Sequence, residues 1–371
     1  MAGPRLRSRR SAHGRATVVG AGSFGTAIAI LLDRAGWSTT LLCRTEEQAV
    51  ALETSRENSR YLSGVSLPEG LKISALARFD EQFRRTDVIL LAVPSSGLRA
   101  AITELERQGV ARDADVISLA KGLVPPDGTS PTVALEAAFG VERVGCVGGP
   151  AHAREMVDHG AGLVAASHSL PVAERIAAIL QRAGLPCEVS GDPVGVELAG
   201  CAKNAAALAA GATEAQGLNA AGMAAADIFT EVLALAELSG GQARTFVGRA
   251  GTGDLVATAL APTSRNRSAG ELLAEGVPAA DIPTRLGQAV ESLETVPQLA
   301  LAVQSAGIPA PILSALASLI EGGMPLEEWV ALVRARQPEP PSRGGRFVEW
   351  LRLLWRRIRG PRQAQGGSAP D

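Results

Sequence analysis

The stretch Ala16-Thr17-Val18-Val19-Gly20-Ala21-Gly22-Ser23-Phe24-Gly25-Thr26 decides the fold. Its first four residues form a short apolar run rich in β-formers. Three glycines follow at the spacing G-x-G-x-x-G, and an Ala/Ile/Leu-rich segment then runs to Arg34 and stops at Gly36. Thr39 to Leu42 is a second apolar run, so strand, helix and strand signals fall within about the ~30 residues of a βαβ unit. The glycine spacing is weak by itself and gains weight from this setting, after a strand and at the start of a helix. Gly20 then permits the tight turn, Gly22 lets backbone approach a pyrophosphate, and Gly25 lets helix and strand pack closely. Ser23 and Phe24 open the helix whose N-terminus faces the phosphates.

Outward from this unit, the next strand candidates are Val88 to Val93, Asp115 to Leu119, Arg143 to Val147, Gly162 to Ala166 and Cys187 to Val189. Amphipathic helical stretches such as Leu98 to Gln108 and Pro171 to Ala183 lie between them. This alternation predicts an α/β fold with a mainly parallel sheet covered on both faces. From Pro193 to about Arg336 the strand signals stop. Val194 to Ala215, Met223 to Leu238, Arg267 to Glu275, Val296 to Ala306 and Ile312 to Ile320 read as helices. The expected organisation is a disordered basic extension (1–15), a Rossmann-type dinucleotide-binding domain (16–190), an all-helical substrate domain (191–336), and a linker with a basic tail (337–371).

Composition narrows the function. The chain has 371 residues, 46% hydrophobic and 20% charged, which excludes a wholly disordered protein. The net charge of −2 provides no basic field for nucleic acid. Cys43, Cys146, Cys187 and Cys201 are far apart, with no His at ligand spacing, so they read as buried apolar residues and no metal is expected. Arg5, Arg7, Arg9 and Arg10 lead into no hydrophobic segment, unlike a secretory signal. The basic residues are skewed: Lys72, Lys121 and Lys203 are the only lysines among 36 Lys+Arg. Lysine can be tuned toward neutrality and arginine cannot, so these three positions matter.

Lys203-Asn204 interrupts an apolar stretch from Leu198 to Ala212. Burying an ammonium there is costly without a partner or a task, and a desolvated lysine is poised for proton transfer. Lys121-Gly122 follows a strand at the carboxyl end of the sheet, where such folds bind ligands. Gly251-Thr252-Gly253-Asp254 places an acid at a helix start. Ser264-Arg265-Asn266-Arg267 gathers hydroxyl, guanidinium and amide donors suited to phosphate or carboxylate, and Ser264 also suits a helix N-cap. At the end of the second strand, Cys43-Arg44-Thr45 carries no carboxylate for an NAD ribose. Arg44 suits a 2′-phosphate, which favours NADP(H) and leaves NAD(H) open.

Taken together, these motifs resemble the soluble bacterial NAD(P)-dependent glycerol-3-phosphate dehydrogenases. The resemblance rests on Gly20 to Thr26, Asn58-Ser59-Arg60-Tyr61-Leu62, Ala92-Val93-Pro94-Ser95, Lys121-Gly122, Gly149-Pro150, Lys203-Asn204, Gly253-Asp254-Leu255 and Ser264 to Arg267, and it spans roughly residues 16 to 335. It implies reduction of the triose phosphate dihydroxyacetone phosphate to sn-glycerol 3-phosphate in the cytoplasm, supplying phospholipid synthesis. It implies Lys203 as general acid/base, and Lys121, Gly149, Asn204, Asp254, Ser264, Arg265 and Asn266 around the substrate. It also implies Ser23, Phe24, Arg44, Lys121, Ala153, Arg265 and Glu291 along the cofactor. A 3-hydroxyacid or ketopantoate-like reductase of the same architecture is the alternative, and a catalytically silent dinucleotide-binding protein is a second.

The chain departs from the family pattern in three places. Ala151 and His152 stand where a hydroxyl residue and an aromatic are usual, Leu218-Asn219-Ala220-Ala221 replaces a more polar stretch, and Ser268 replaces an arginine. They bear on substrate and affinity rather than on fold. Beyond the resemblance, Phe347, Leu351, Leu354, Trp355 and Ile358 follow helical spacing, and Arg346, Glu349, Arg352, Arg356 and Arg359 fall largely opposite. Such a stripe suits an interfacial membrane contact through 346–359, or packing on this chain or on a second subunit in a homodimer.

Overall fold

Eight strands form one sheet in the order β3-β2-β1-β4-β5-β6-β7-β8. They are β1 (Arg15–Val19), β2 (Ser38–Cys43), β3 (Lys72–Ala75), β4 (Val88–Leu91), β5 (Asp115–Ser118), β6 (Val144–Gly148), β7 (Leu163–Ala166) and β8 (Cys187–Ser190). The computed structural model describes residues 13–78, 85–261 and 264–335. The disordered basic extension expected before residue 13 and the amphipathic stripe expected over 346–359 therefore lie outside the described residues.

Side chains that alternate along the strands are buried on both faces. Val18, Leu41 and Leu90 pack with α1 (Ser23–Arg34) and α6 (Leu170–Arg182). Val19, Leu42 and Leu91 pack with α3 (Ser95–Gln108) and α4 (Pro131–Phe139). This double burial is why the strands read as continuous apolar runs rather than alternating ones. The shorter α2 (Glu46–Ser55) and α5 (Ala153–His159) complete this half.

The structure corrects the expected strands in three places. β3 was absent from the reading, because four residues that open on an exposed Lys72 carry little apolar signal. β7 runs antiparallel to β6, a direction that a four-residue apolar run does not encode. Val88 to Val93 ends as a strand at Leu91, because Pro94 forces the chain out of the ladder and into the start of α3.

The second half is helical throughout its described residues. It comprises α7 (Pro193–Thr213), α8 (Leu218–Leu238), α9 (Ala243–Val247), α10 (Asp254–Leu260), α11 (Arg265–Ala274), α12 (Ile282–Leu286), α13 (Glu291–Ser305), α14 (Pro311–Ile320) and α15 (Leu326–Ala335). Helices α8, α11 and α13 begin earlier than apolar periodicity indicated, since their first turns are polar or exposed. The central helix α7 is almost wholly buried, and its alanines allow close neighbours. A Cβ on Gly211 would lie 2.1 Å from the Arg267 carbonyl oxygen, and one on Gly270 would lie 2.1 Å from that of Leu208. The α7 and α11 backbones therefore touch, which sets the Ser264–Arg267 segment beside α7. Helix α8 is long and apolar enough to cross a membrane by length and composition. Its Ala224, Ile228, Val232 and Ala236 are buried in the helical core.

One buried carboxylate ties the halves together. Glu197 on α7 accepts bonds from the Thr132 backbone N–H (2.8 Å) and hydroxyl (2.6 Å) at the start of α4. Burial pushes this carboxyl from its ordinary 4.5 up to about 7. A raised carboxyl contributes stability below pH 4.5 that is lost as the pH climbs through 7. Glu197→Gln mimics the protonated acid. It should raise stability above pH 7, by at most about 3 kcal/mol, and change little at pH 4.5. Thermal unfolding of both proteins at pH 8 and pH 4.5 checks this; an equal effect at both pH values would contradict it.

Candidate active site

Five loops leave the carboxyl ends of the parallel strands and line one edge of the sheet. They carry Gly20 after β1, Arg44 after β2, Ala92 after β4, Lys121 after β5 and Gly149 after β6. Ligands in open α/β sheets bind at this edge.

The glycine loop has the shape the sequence predicts. Gly20 has φ +110, and a Cβ there would lie 2.6 Å from the Ala92 carbonyl oxygen. A Cβ on Gly25 would lie 2.0 Å from the Gly20 carbonyl oxygen, so helix and turn are in contact. At Gly22 an added Cβ would meet nothing within 4 Å. That position opens on free space at the N-terminus of α1, and no side chain caps this helix. The residues present therefore fit a dinucleotide pyrophosphate. Asn58 holds the loop: its amide donates to the Ala21 carbonyl (3.0 Å) and to the Thr26 hydroxyl (2.8 Å). Ser23 and Phe24 are half-buried at the loop, Ala153 opens α5, and Arg44 is exposed beyond β2.

Opposite this edge, α7 presents Lys203 and Asn204. An ideal Cβ on Gly200 would lie 3.5 Å from the Lys121 Cβ, so α7 rests on the loop after β5. Asp254, only 2% exposed, bridges both lysines. Its Oδ2 lies 2.6 Å from Lys121 Nζ, and its Oδ1 lies 3.4 Å from Lys203 Nζ. Lys121 also donates to the Gly149 carbonyl (3.0 Å), and Lys203 to the Thr258 hydroxyl (3.2 Å). Asp254 and Thr258 are one helical turn apart on α10 and so share a face. Thr258 was missed by the sequence reading, and this i, i+4 spacing was the available signal. Asp254 follows one turn of π-helix, Arg249–Gly253, an irregularity frequent at functional sites.

The titrations follow from this packing. Burial drives the Lys203 ammonium toward its neutral form, and the Asp254 charge pulls the other way without reversing the shift. Burial works against ionisation of Asp254 too, but Lys121 and Lys203 outweigh it and hold the carboxyl below its ordinary value. The result is a desolvated amine shifted toward release of its proton, beside a carboxylate held toward its charged form.

A second network fixes the helices. Asn204 donates to the Lys121 carbonyl and to Glu291 Oε2 (3.1 Å each) and accepts from the Asn266 amide (2.8 Å). Asn266 Oδ1 accepts from the Ser292 backbone N–H (3.3 Å). Asn204 has thus used both its N–H groups, whereas Asn266 keeps one for a ligand. Ser264 is the N-cap of α11, its hydroxyl oxygen accepting from the Arg267 N–H (3.4 Å). Arg265 is exposed and, among the described residues, donates to neutral oxygens alone, those of Gln288 (3.1 Å) and the Ala289 backbone (3.2 Å). Its positive charge is left available for an anion. Of the departures, Ala151 packs on the sheet core, Ala221 is buried in α8, and Ser268 lies on α11.

Comparison with known proteins shows the family. The family described as NAD-dependent glycerol-3-phosphate dehydrogenase matches in both parts, its N-terminus over residues 15–172 and its C-terminus over residues 192–331. A glycerol-3-phosphate dehydrogenase (NAD(P)+) of Thiobacillus denitrificans is 36% identical over 326 residues, covering 85% of this chain and 95% of its own. One from Parafrankia sp. is 35% identical over 336 residues, covering 89% and 99%. The crystal structure of glycerol-3-phosphate dehydrogenase from Coxiella burnetii superposes with a TM-score of 0.80 at 27% identity, covering 87% of this chain and 99% of that one. With both parts of the family matched and relatives of this identity along most of its length, the chain belongs to the NAD-dependent glycerol-3-phosphate dehydrogenase family.

Proposed function

We propose that this chain reduces dihydroxyacetone phosphate to sn-glycerol 3-phosphate, using NADPH by preference and NADH as the other candidate reductant. The observation that carries this reading is the buried carboxylate of Asp254 shared by Lys121 and Lys203 at the carboxyl edge of the sheet. The bound cofactor supplies the hydride to the carbonyl carbon, as nicotinamides do. The protein's part is to donate a proton and hold charge. Lys203 Nζ gives its proton to the C2 oxygen as the alkoxide develops, and burial lowers the cost of that release. Lys121 stays paired with Asp254 and faces the same oxygen as an electrostatic support.

Gly149, Asp254, Thr258 and Ser264 surround the reacting end, and the uncompensated guanidinium of Arg265 with the spare amide N–H of Asn266 takes the phosphate. Asn204 acts through Lys121 and Glu291, holding both in place. Gly20, Gly22, Ser23, Phe24 and Gly25 receive the pyrophosphate, with Arg44 at the adenosine end and Ala153 and Glu291 further along. On this reading, residues 16–190 hold the dinucleotide and 191–336 the substrate. NADPH oxidation with dihydroxyacetone phosphate set against 2-keto acids such as ketopantoate tests the class. Faster turnover of a 2-keto acid would replace this function with the hydroxyacid alternative.

The product feeds phospholipid synthesis, so we place the enzyme in the cytoplasm, with the basic stripe of 346–359 meeting the inner membrane surface. Full-length protein should co-sediment with anionic vesicles and be released at high salt. Truncation at Gln337 should abolish this and keep activity. Full-length protein that ignores the vesicles, or a truncation that unfolds the enzyme or splits a dimer, would assign the stripe to protein packing instead.

A further inference from the structure

Two arginines follow the paired ends of β2 and β3. The strands run parallel with Cys43 opposite Ala75. Arg44 is the first residue beyond one strand, and Arg78 closes the single 3-10 turn, Leu76–Arg78, beyond the other. Both side chains lie in exposed residues. Arg78 Nε sits 3.0 Å from Oε2 of Glu46, the first residue of α2. The Thr45 cap of that helix accepts from the Gln48 N–H, so Glu46 is free to turn toward Arg78.

We propose that Arg78 is a second guanidinium for the 2′-phosphate of NADP(H), and that Glu46 holds it in waiting as a carboxylate stand-in for that phosphate. This inference rests on the NADPH preference read from Arg44. The ribose of a dinucleotide lies at the end of the second strand in this sheet order, beside both arginines. A phosphomonoester carries close to two negative charges at neutral pH and three acceptor oxygens, more than one guanidinium fork satisfies. The Arg78–Glu46 pair is exposed and therefore weak, so exchanging a carboxylate for a phosphate costs little. Glu46 left beside the site repels the phosphate, so it limits NADP(H) affinity while it positions Arg78. With NAD(H), Arg78 keeps its carboxylate partner.

The two substitutions that break this pair have opposite expected signs, which a merely structural salt bridge would not show. Binding of adenosine 2′,5′-bisphosphate and of AMP to the full chain is measured by calorimetry, with melting temperatures confirming that each variant is folded. Arg78→Gln should weaken the bisphosphate about tenfold and leave AMP unchanged. Glu46→Gln should tighten the bisphosphate severalfold and also leave AMP unchanged. Losses of equal size in both variants, or changes shared by both ligands, would overturn the proposal. If Arg44→Ala removes the bisphosphate preference and Arg78→Gln does not, the second guanidinium fails and the NADPH reading stands. A wild-type chain with no preference for the bisphosphate over AMP would remove the NADPH preference and this proposal with it.

Discussion

Lys203→Arg is expected to lower turnover by about 10²-fold or more while NADPH still binds. Arginine keeps a positive charge where the Lys203 ammonium lies 3.4 Å from Asp254, so the charge balance that holds α7 and α10 together survives. What is lost is a proton that can leave: burial brings the Lys203 ammonium toward release, and a guanidinium does not release its proton in a protein. The loss should fall on kcat, because the missing step occurs only as the oxygen gains charge. Single-turnover kinetics with NADPH in excess reads this directly. Near-normal turnover would remove Lys203 from its role as general acid.

Asp254→Asn should be comparably severe and should differ in kind. The carboxylate is nearly inaccessible and stands between two ammonium groups. Breaking a buried ion pair from one side costs about 3–5 kcal/mol, because it leaves charge without compensation. Here the remaining charges are two lysines that repel. Lys203 should then shift further toward neutrality, so the falling limb of the pH–rate profile should move to lower pH in the variant. Stability should separate the proteins most at neutral pH. The Asp254 carboxyl is held below its ordinary 3.8, so its contribution is present above that value and is lost as the pH falls below it. Unfolding midpoints measured from pH 3 to pH 8 should therefore converge at the acid end. A constant gap across the range would mean that the carboxylate charge is not what matters there.

The sheet half was legible because it is buried on both faces, so runs such as Val88-Ile89-Leu90-Leu91 stand out in the sequence. Directions and edges were not: β3 opens on Lys72 at the rim, and nothing in Leu163 to Ala166 signals that β7 turns antiparallel. The two lysines were visible for a compositional reason, since an arginine-biased chain had kept lysine at only three positions. Asp254 was singled out too, but its pairing with both lysines was not legible, because Lys121 and Asp254 are 133 residues apart and only folding brings them to 2.6 Å. Thr258 and Glu197 were missed for the same reason: each sits in an ordinary helical pattern, and its role comes from a residue on another element. Ser264 was legible in two ways, as donor and as cap, and the structure places its oxygen in the cap with the hydroxyl hydrogen left over.

The central claim is that this site reduces a ketone recognised through its phosphate. It is tested most directly by comparing NADPH oxidation with dihydroxyacetone phosphate and with unphosphorylated dihydroxyacetone. On the proposed reading the Arg265 guanidinium and the Asn266 amide take the phosphate, so its binding energy is available to orient the reacting carbon. Charged hydrogen bonds of this kind should give the phosphorylated ketone an advantage of about 10²-fold or more in kcat/KM, part of it in kcat. Equal rates for the two ketones, or no NADPH oxidation with either, would contradict the account.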